Sequence, residues 1–337
     1  MSQTGSPRVA ARADASRPAA RAGALRQILS TYRSEIAIAA AIIVLELALG
    51  VFVPNALTMG NFSDIAQATA PLIIMAIGVL LVVITGGIDL SVGSVFSLVG
   101  MVTGLVMDSG YSSTISTICG LLVGILFGAV NGALVTFVGL APFVVTLITY
   151  AVAGSLAFIV TDGHSLPIND QGFWLLNGGH IIPGLPNFAL FCIILLIVVE
   201  FLLRRVVFGR WIYAVGSSPG AARLLGIPVH LVQFSVYVIS GLLAAFASVL
   251  TVSYISNAEG TAGEAMMLQA IAAVVIGGAS LFGGTGSAIG ALLGALMITV
   301  IQNGVNLIGI NSFWQGSVTG LVILVAVLID RVSKARR

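Results

Sequence analysis

RRVVFGRWIYAVGSSPGAAR, residues 204–223, is the stretch on which the reading of this chain turns. It holds Arg204, Arg205, Arg210 and Arg223, and on either side of it the cations vanish: residues 34–203 and 224–330 contain no Lys or Arg. The other basic residues crowd the ends, with Arg8, Arg12, Arg17, Arg21, Arg26 and Arg33 at the start and Arg331, Lys334, Arg336 and Arg337 at the finish. An Arg or Lys at a bilayer centre costs about 2.5–3.5 kcal/mol on insertion scales, and cytoplasmic loops collect these residues. Three basic patches separated by long cation-free stretches therefore mark three cytoplasmic regions of an integral membrane protein, with both termini on that side.

Composition agrees. Hydrophobic residues make up 58% and charged residues 8%, against about 25% charged in soluble domains. A net charge of +2 is too small to imply a nucleic-acid partner, and membrane topology accounts for its clustering. Forty glycines suit helices packed closely in lipid, where small residues let backbones approach. Cys119 and Cys192 both lie in apolar runs and read as buried thiols rather than a disulfide. Residues 1–34, rich in Ala, Arg and Ser, read as a disordered cytoplasmic tail; an Arg-rich, acid-poor start also imitates a transit peptide, but the same charge sign recurs at the far end. A single transmembrane domain over 35–331, with a cytoplasmic segment at 204–229 and a short tail at 332–337, completes the organisation.

A helix needs about 20 mostly apolar residues to cross the hydrocarbon core. Apolar runs place spans near 36–53, 65–84, 91–107, 115–138, 142–161 and 188–203, then 231–255, 265–282, 286–303 and 313–330. The number is even between successive basic patches, as it must be if all three share a side. The expected fold is an all-α polytopic membrane protein of about ten transmembrane helices, or about eight with re-entrant pieces. The outer loops then include 161–187, where His164 and His180 lack the tight spacing of metal ligands.

Thr85-Gly86-Gly87-Ile88-Asp89-Leu90-Ser91-Val92-Gly93-Ser94 joins two apolar runs. Paired glycines interrupt helix propagation, and Asp89 and Ser91 are able to cap the next helix start. Two readings stand open: a broken helix beside a translocation path, because polar backbone in a membrane must be buried in protein or line a wet cavity, or a tight cytoplasmic turn. A second glycine-rich break, Gly277-Gly278-Ala279-Ser280-Leu281-Phe282-Gly283-Gly284-Thr285-Gly286-Ser287, imitates a phosphate cradle, but a P-loop needs a Lys after its last Gly and the sole lysine is Lys334. The two breaks hint at a weak internal duplication.

The central patch carries the signals of a short helix: Ser218 as N-cap, Pro219 at the first position, Ala221 to Leu225 as helix formers, Gly226 as stop and Pro228 beyond. Such a helix can dock in a partner's groove or rest on headgroups as a connector. Polar residues inside the spans, Glu46, Asp64, Gln67, Asn131, Thr146, Thr149, Gln269, Gln302 and Asn303, are candidates for function or for helix–helix hydrogen bonds. No Ser/His/Asp arrangement points to catalysis, so the chain is not expected to be an enzyme by itself.

Taken together, these blocks resemble the permease subunit of ribose-type ABC importers. The resemblance runs through TGGIDLSVGS (85–94), APFVVTLITYAVAGSLAFIVTDG (141–163), GRWIYAVGSSPGAARLLGI (209–227), LQAIAAVVIGGASLFGGTGSAIGALLGAL (268–296) and IQNGVNLIGI (301–310). It implies a dimeric importer-permease fold in a bacterial inner membrane and import of a monosaccharide or related small polar solute. It implies three partners: a second permease subunit, a cytoplasmic ATPase with two nucleotide-binding cassettes, and an extracytoplasmic solute-binding protein. ATP and Mg would be bound by the ATPase and no cofactor by this chain. The coupling helix would comprise Ser217, Ser218, Pro219, Gly220, Ala221, Ala222, Arg223, Leu224, Leu225 and Gly226; the pathway or helix break would use Gly86, Gly87, Asp89, Ser91, Asn131, Gln269 and Asn303. One departure stands out: family members often carry Asn-Glu-Ala before the Ala-Ala pair, where this chain has Ser218-Pro219-Gly220. The competing class is a secondary transporter or channel working alone; the broken helices favour it, and the lack of acid pairs or relays counts against it.

Overall fold

The computed structural model describes residues 33–182 and 186–311 together with positions 314, 316, 317, 320, 321 and 324. Its long helices are α1 (Arg33–Phe52), α2 (Met59–Ile84), α3 (Val92–Asp108), α4 (Ser113–Thr136) and α5 (Pro142–Ile159). A two-residue strand β1 (Leu166–Pro167) and the short helix α6 (Gln171–Gly178) precede α7 (Asn187–Arg205), α8 (Val207–Ser217) and α9 (Pro219–Leu224). The chain continues through α10 (Val229–Ile255), β2 (Asn257–Ala258), α11 (Glu264–Ile276) and α12 (Ala288–Leu307). Among the described residues, α1, α2, α4, α5, α7, α10 and α12 are long and apolar enough to cross a membrane. The protein is an all-α polytopic membrane protein.

The helix ends follow from local chemistry. Thr58, Ser112 and Ser287 cap α2, α4 and α12 with side-chain oxygens, and Pro142 opens α5 with the φ that a first turn wants. The expected span 265–282 ends instead at Ile276, because Gly277 and Gly278, the latter at φ 87°, stop the helix there. The last expected span, 313–330, and the N-terminal tail fall largely outside the described residues.

α2 and α10 form the centre of the molecule, whereas α1 is only 6% buried and belongs to the periphery. α10 has 27 residues, about 40 Å of helix, enough to cross the roughly 30 Å hydrocarbon core with margin. It starts next to α9 and ends next to β2, so it joins two opposite faces of the protein. On the β face, Leu166 pairs with Ala258 and Pro167 with Asn257 in an antiparallel two-strand clasp. α4 lies against α10 where Gly124 and Gly128 meet Gly241; a Cβ at any of them would strike the neighbouring backbone. Small residues at a helix crossing gain close dispersion contact in a medium that supplies no hydrophobic push.

α3 and α11 are short, at 17 and 13 residues, about 25 and 20 Å. They begin side by side: the Gly263 amide donates to Ser97 Oγ at 2.9 Å, and a Cβ on Gly93 would meet the Gly263 carbonyl. Two helices shorter than the roughly 30 Å core thus start beside each other, each preceded by non-helical chain.

Candidate functional site

The segment expected to couple to an ATPase is built as its residues require. α8 buries Gly209, Ile212 and Val215 on one face, and Ser218 then takes an extended φ of −162°. Its Oγ accepts a 3.3 Å bond from the Ala221 amide, Pro219 opens α9, and Gly226 at φ 78° closes the segment. Ala222 is buried, while Leu224 and Leu225 are 91% and 79% exposed. One small residue holds the helix down and two large apolar ones project outward, an arrangement suited to insertion into another surface.

Directly behind α9 the two glycine-rich breaks meet. The Gly284 amide donates to the Ile84 carbonyl at 2.9 Å, joining the end of α2 to the loop between α11 and α12. Gly216 of α8 lies against both: a Cβ there would fall on the Ile84 oxygen and 2.7 Å from the Gly284 nitrogen. A Cβ on Gly283 would lie 2.8 Å from the Gly216 oxygen and 3.0 Å from the Gly86 nitrogen. Three backbones touch here with no side chain between them. Around this junction, Tyr213 Oη donates to the Gly286 carbonyl at 2.7 Å. Glu200 pairs with Arg204 and accepts from the Ala288 amide at 3.2 Å, while Glu35 accepts from Ser287 Oγ at 3.1 Å. Two carboxylates therefore sit at the start of α12, where the helix dipole favours negative charge.

A second cluster surrounds Asp89, which is buried. Its Oδ1 accepts from the Ser91 amide at 3.0 Å and from Ser91 Oγ at 2.6 Å, and its Oδ2 accepts from Ser240 Oγ at 2.9 Å. Ser91 Oγ in turn accepts from Asn131 Nδ2 at 2.8 Å, and Asn131 Oδ1 accepts from Thr149 Oγ1 at 2.5 Å. Thr146 Oγ1 donates to the Ile88 carbonyl at 3.1 Å. One chain of bonds thus ties the break at 85–91 to α4, α5 and α10. Ser91 begins α3 without a side-chain capping bond, since its hydroxyl serves this network instead of the capping role that its position in the sequence suggests. Ser240 stands about 16 Å along α10 from its first residue, and Asp89, bonded to it, is enclosed by protein.

Gly86, Gly87, Asp89, Ser91 and Asn131 come together as neighbours, while Ser217–Gly226 occupy the adjoining face. Gln269 and Asn303 lie elsewhere. Gln269 lines a cavity with Gln67 and Asn177, and Asn303 Nδ2 donates to Asn61 Oδ1 at 2.8 Å, tying α12 to α2. Glu46 is buried on α1 with neither carboxyl oxygen hydrogen-bonded. Gly216, Tyr213, Glu200 and Ser240 are central to the geometry but carry no sequence signal on their own. Of these, only the four-residue spacing of Glu200 and Arg204 is a pattern from which a local pair could have been read.

Comparison with known proteins gives this geometry its family. Residues 61–327 match the family model described as branched-chain amino acid transport system / permease component. A probable ABC transporter permease protein, y4mJ of Sinorhizobium fredii, is 69% identical over 94% of this chain and 95% of its own length. The ribose import permease protein RbsC of Bacillus subtilis is 37% identical over 87% of this chain and 91% of its own. The D-allose transport system permease protein AlsC of Escherichia coli is 35% identical over 82% and 85%. No solved structure matches the chain. A polytopic helical protein with ribose-type motifs in order, matched over most of its length in this way, belongs to the branched-chain amino acid transport system / permease component family, among the permease subunits of ribose-type ABC importers.

Proposed function

We propose that this chain is the membrane subunit of an ATP-driven, binding-protein-dependent importer of a neutral monosaccharide, working as a homodimer. The observation that carries the proposal is the side-chain-free junction, which puts the end of α8, immediately before α9, in direct backbone contact with the end of α2 and with the loop before α12. In this reading α8 and α9 face the cytoplasm with both termini, and the exposed Leu224 and Leu225 enter a groove of an ATPase with two nucleotide-binding cassettes. The clasp of β1 and β2 lies on the outer face, where a solute-binding protein delivers its cargo. ATP and Mg are held and consumed by the ATPase.

The geometry gives this division of labour a mechanism. Closure of the cassettes displaces α9, and the displacement passes through Gly216 to Ile84 and Gly284 without a side-chain layer that could absorb it. The break at 85–91 and the loop at 277–287 then move as one, switching the membrane dimer between two states biased by nucleotide and delivered solute. Asp89 holds the first break to α4, α5 and α10, so that these helices follow.

The test is uptake of labelled ribose, allose and fructose into vesicles carrying the chain with its ATPase and binding protein. Uptake should require all three components and ATP. Uptake that persists without ATP, or flux through the chain alone driven by a sodium or proton gradient, overturns the proposal in favour of a self-sufficient transporter.

A further inference from the structure

Between α2, α6, α10 and α11 lies a cavity of about 240 Å³ whose polar lining is Gln67, Asn177, Thr251, Tyr254 and Gln269. Asn177 is 5% exposed, and α6, which carries it, is pinned to α10 by Ser253 Oγ donating to the Phe173 carbonyl at 2.6 Å. Among the described residues, the side chains of Gln67, Asn177, Tyr254 and Gln269 have no hydrogen-bond partner in the protein. Thr251 Oγ1 donates to the Ala247 carbonyl at 2.9 Å and keeps its acceptor capacity. Pro71, also on the lining, has no N–H for the Gln67 carbonyl four residues before it. Asn177 is buried, Gln67 and Gln269 are half-buried and Tyr254 is exposed, so these polar groups border an opening in which a polar guest can meet them.

The chemistry of the set defines the guest. Side-chain amides and a phenol each donate and accept, as the hydroxyls of a sugar do. No acid or base is among the described lining residues, and a neutral guest needs none. Tyr254, about half exposed, offers an aromatic face, and Leu250 and Met266 supply an apolar wall.

We infer that this cavity is a transient binding site for a single neutral monosaccharide, one in each subunit, occupied between release from the binding protein and passage inward. The inference rests on the importer reading above and adds to it a place and a set of residues. Weak binding suits the role: a Kd near 1 mM corresponds to about −4 kcal/mol, within reach of a few hydrogen bonds and one stacked ring.

Ala68 borders the cavity and is exposed, whereas Ser63, one turn before Gln67 on the same helix, is exposed and lies outside the lining. Ala68→Cys and Ser63→Cys are each made in the full chain, assembled with its ATPase but without the binding protein. Labelling by a small polar thiol reagent is followed, with the reaction of Cys119 and Cys192 in the unsubstituted chain subtracted. ATP-driven uptake with the binding protein restored identifies which of ribose, allose or fructose is carried. That sugar at about 100 mM, far above a millimolar Kd, should slow labelling of Ala68→Cys at least about threefold and leave Ser63→Cys unchanged. Gln67→Leu or Asn177→Leu in the Ala68→Cys chain should each abolish the protection. Unprotected Ala68→Cys in a complex that still imports the sugar overturns the inference while the importer reading survives, and so does equal slowing at both positions. Failure to import any of the sugars defeats the importer reading, and the cavity's assignment with it.

Discussion

Replacing Gly216 by alanine puts one methyl group where three backbones meet. That methyl would overlap the Ile84 carbonyl oxygen and approach the Gly284 nitrogen to 2.7 Å. Either α8 moves away from the junction, or the 2.9 Å bond from the Gly284 amide to Ile84 opens. Over-packing of this kind costs about 1–3 kcal/mol, and the lost buried hydrogen bond adds about 0.5–1.5 kcal/mol. The better helix propensity of alanine returns at most about 1 kcal/mol. The net penalty of about 1–3 kcal/mol lowers the equilibrium constant for an intact junction about fivefold to 150-fold. The assay is the ratio of solute imported to ATP hydrolysed in vesicles carrying the assembled transporter, with membrane content of the chain measured in parallel. Gly216→Ala should cut that ratio about tenfold while the protein remains in the membrane. Gly220→Ala, four residues further on with nothing within 4 Å of its added methyl, should leave the ratio unchanged or tighten α9 by up to about 1 kcal/mol. Equal ratios for Gly216→Ala and the unsubstituted chain would refute the idea that motion reaches the membrane helices through this contact.

Three further substitutions probe the neighbouring parts. Asp89→Ala leaves the Ser91 amide and two serine hydroxyls without their acceptor, at roughly 1–3 kcal/mol for each group that finds no substitute, whereas Asp89→Asn keeps an acceptor for Ser91 and turns a donor toward Ser240. Thermal stability in detergent should therefore fall in the order unsubstituted, Asp89→Asn, Asp89→Ala, and an Asp89→Ala chain that melts with the unsubstituted one would show the network to be dispensable. Gly226→Val forces a β-branched residue into φ 78°, at a cost of about 1–3 kcal/mol; ATP hydrolysis should continue in the assembled complex while uptake drops, and normal uptake would count against α9 as the docking helix. Leu224→Ser with Leu225→Ser removes two side chains that touch little of this chain, so melting should be unchanged while co-purification of the ATPase weakens by at least about tenfold; undiminished co-purification would place the docking surface elsewhere.

What could be read from sequence was whatever local chemistry decides. The short helix α9 is the clearest instance: Ser218, Pro219 and Gly226 act on their own backbone neighbours, and α9 has the start and stop they dictate. The membrane helices were legible for a similar reason, since length and apolarity are local quantities, and their expected and observed limits differ mostly by a few residues. Contacts across the fold were not legible. The partner of Asp89, Ser240, lies 151 residues away, and one serine among many carries no mark of that role. Gly216 looked like one more glycine in a chain that has forty, because what distinguishes it is the proximity of Ile84 and Gly284, a tertiary fact. Asn303 and Gln269 were selected together as polar residues within spans, yet one ties α12 to α2 and the other borders an open cavity. Burial was the other missing quantity: TGGIDLS suits an exposed turn and an enclosed break equally until the bond to Ser240 shows Asp89 enclosed by protein.

A joint made only of main chain divides the sequence into two regimes of freedom. At Gly216, Gly283 and Gly284 any side chain collides with a neighbour, so drift is arrested there whatever motor or cargo the machine serves. On the far side of the same joint, the outward surface of α9 touches almost nothing within its own chain and is free to vary. A permease of this design can change its engine by rewriting a few surface residues, Gly220, Leu224 and Leu225 among them, while the bearing behind them stays as it is.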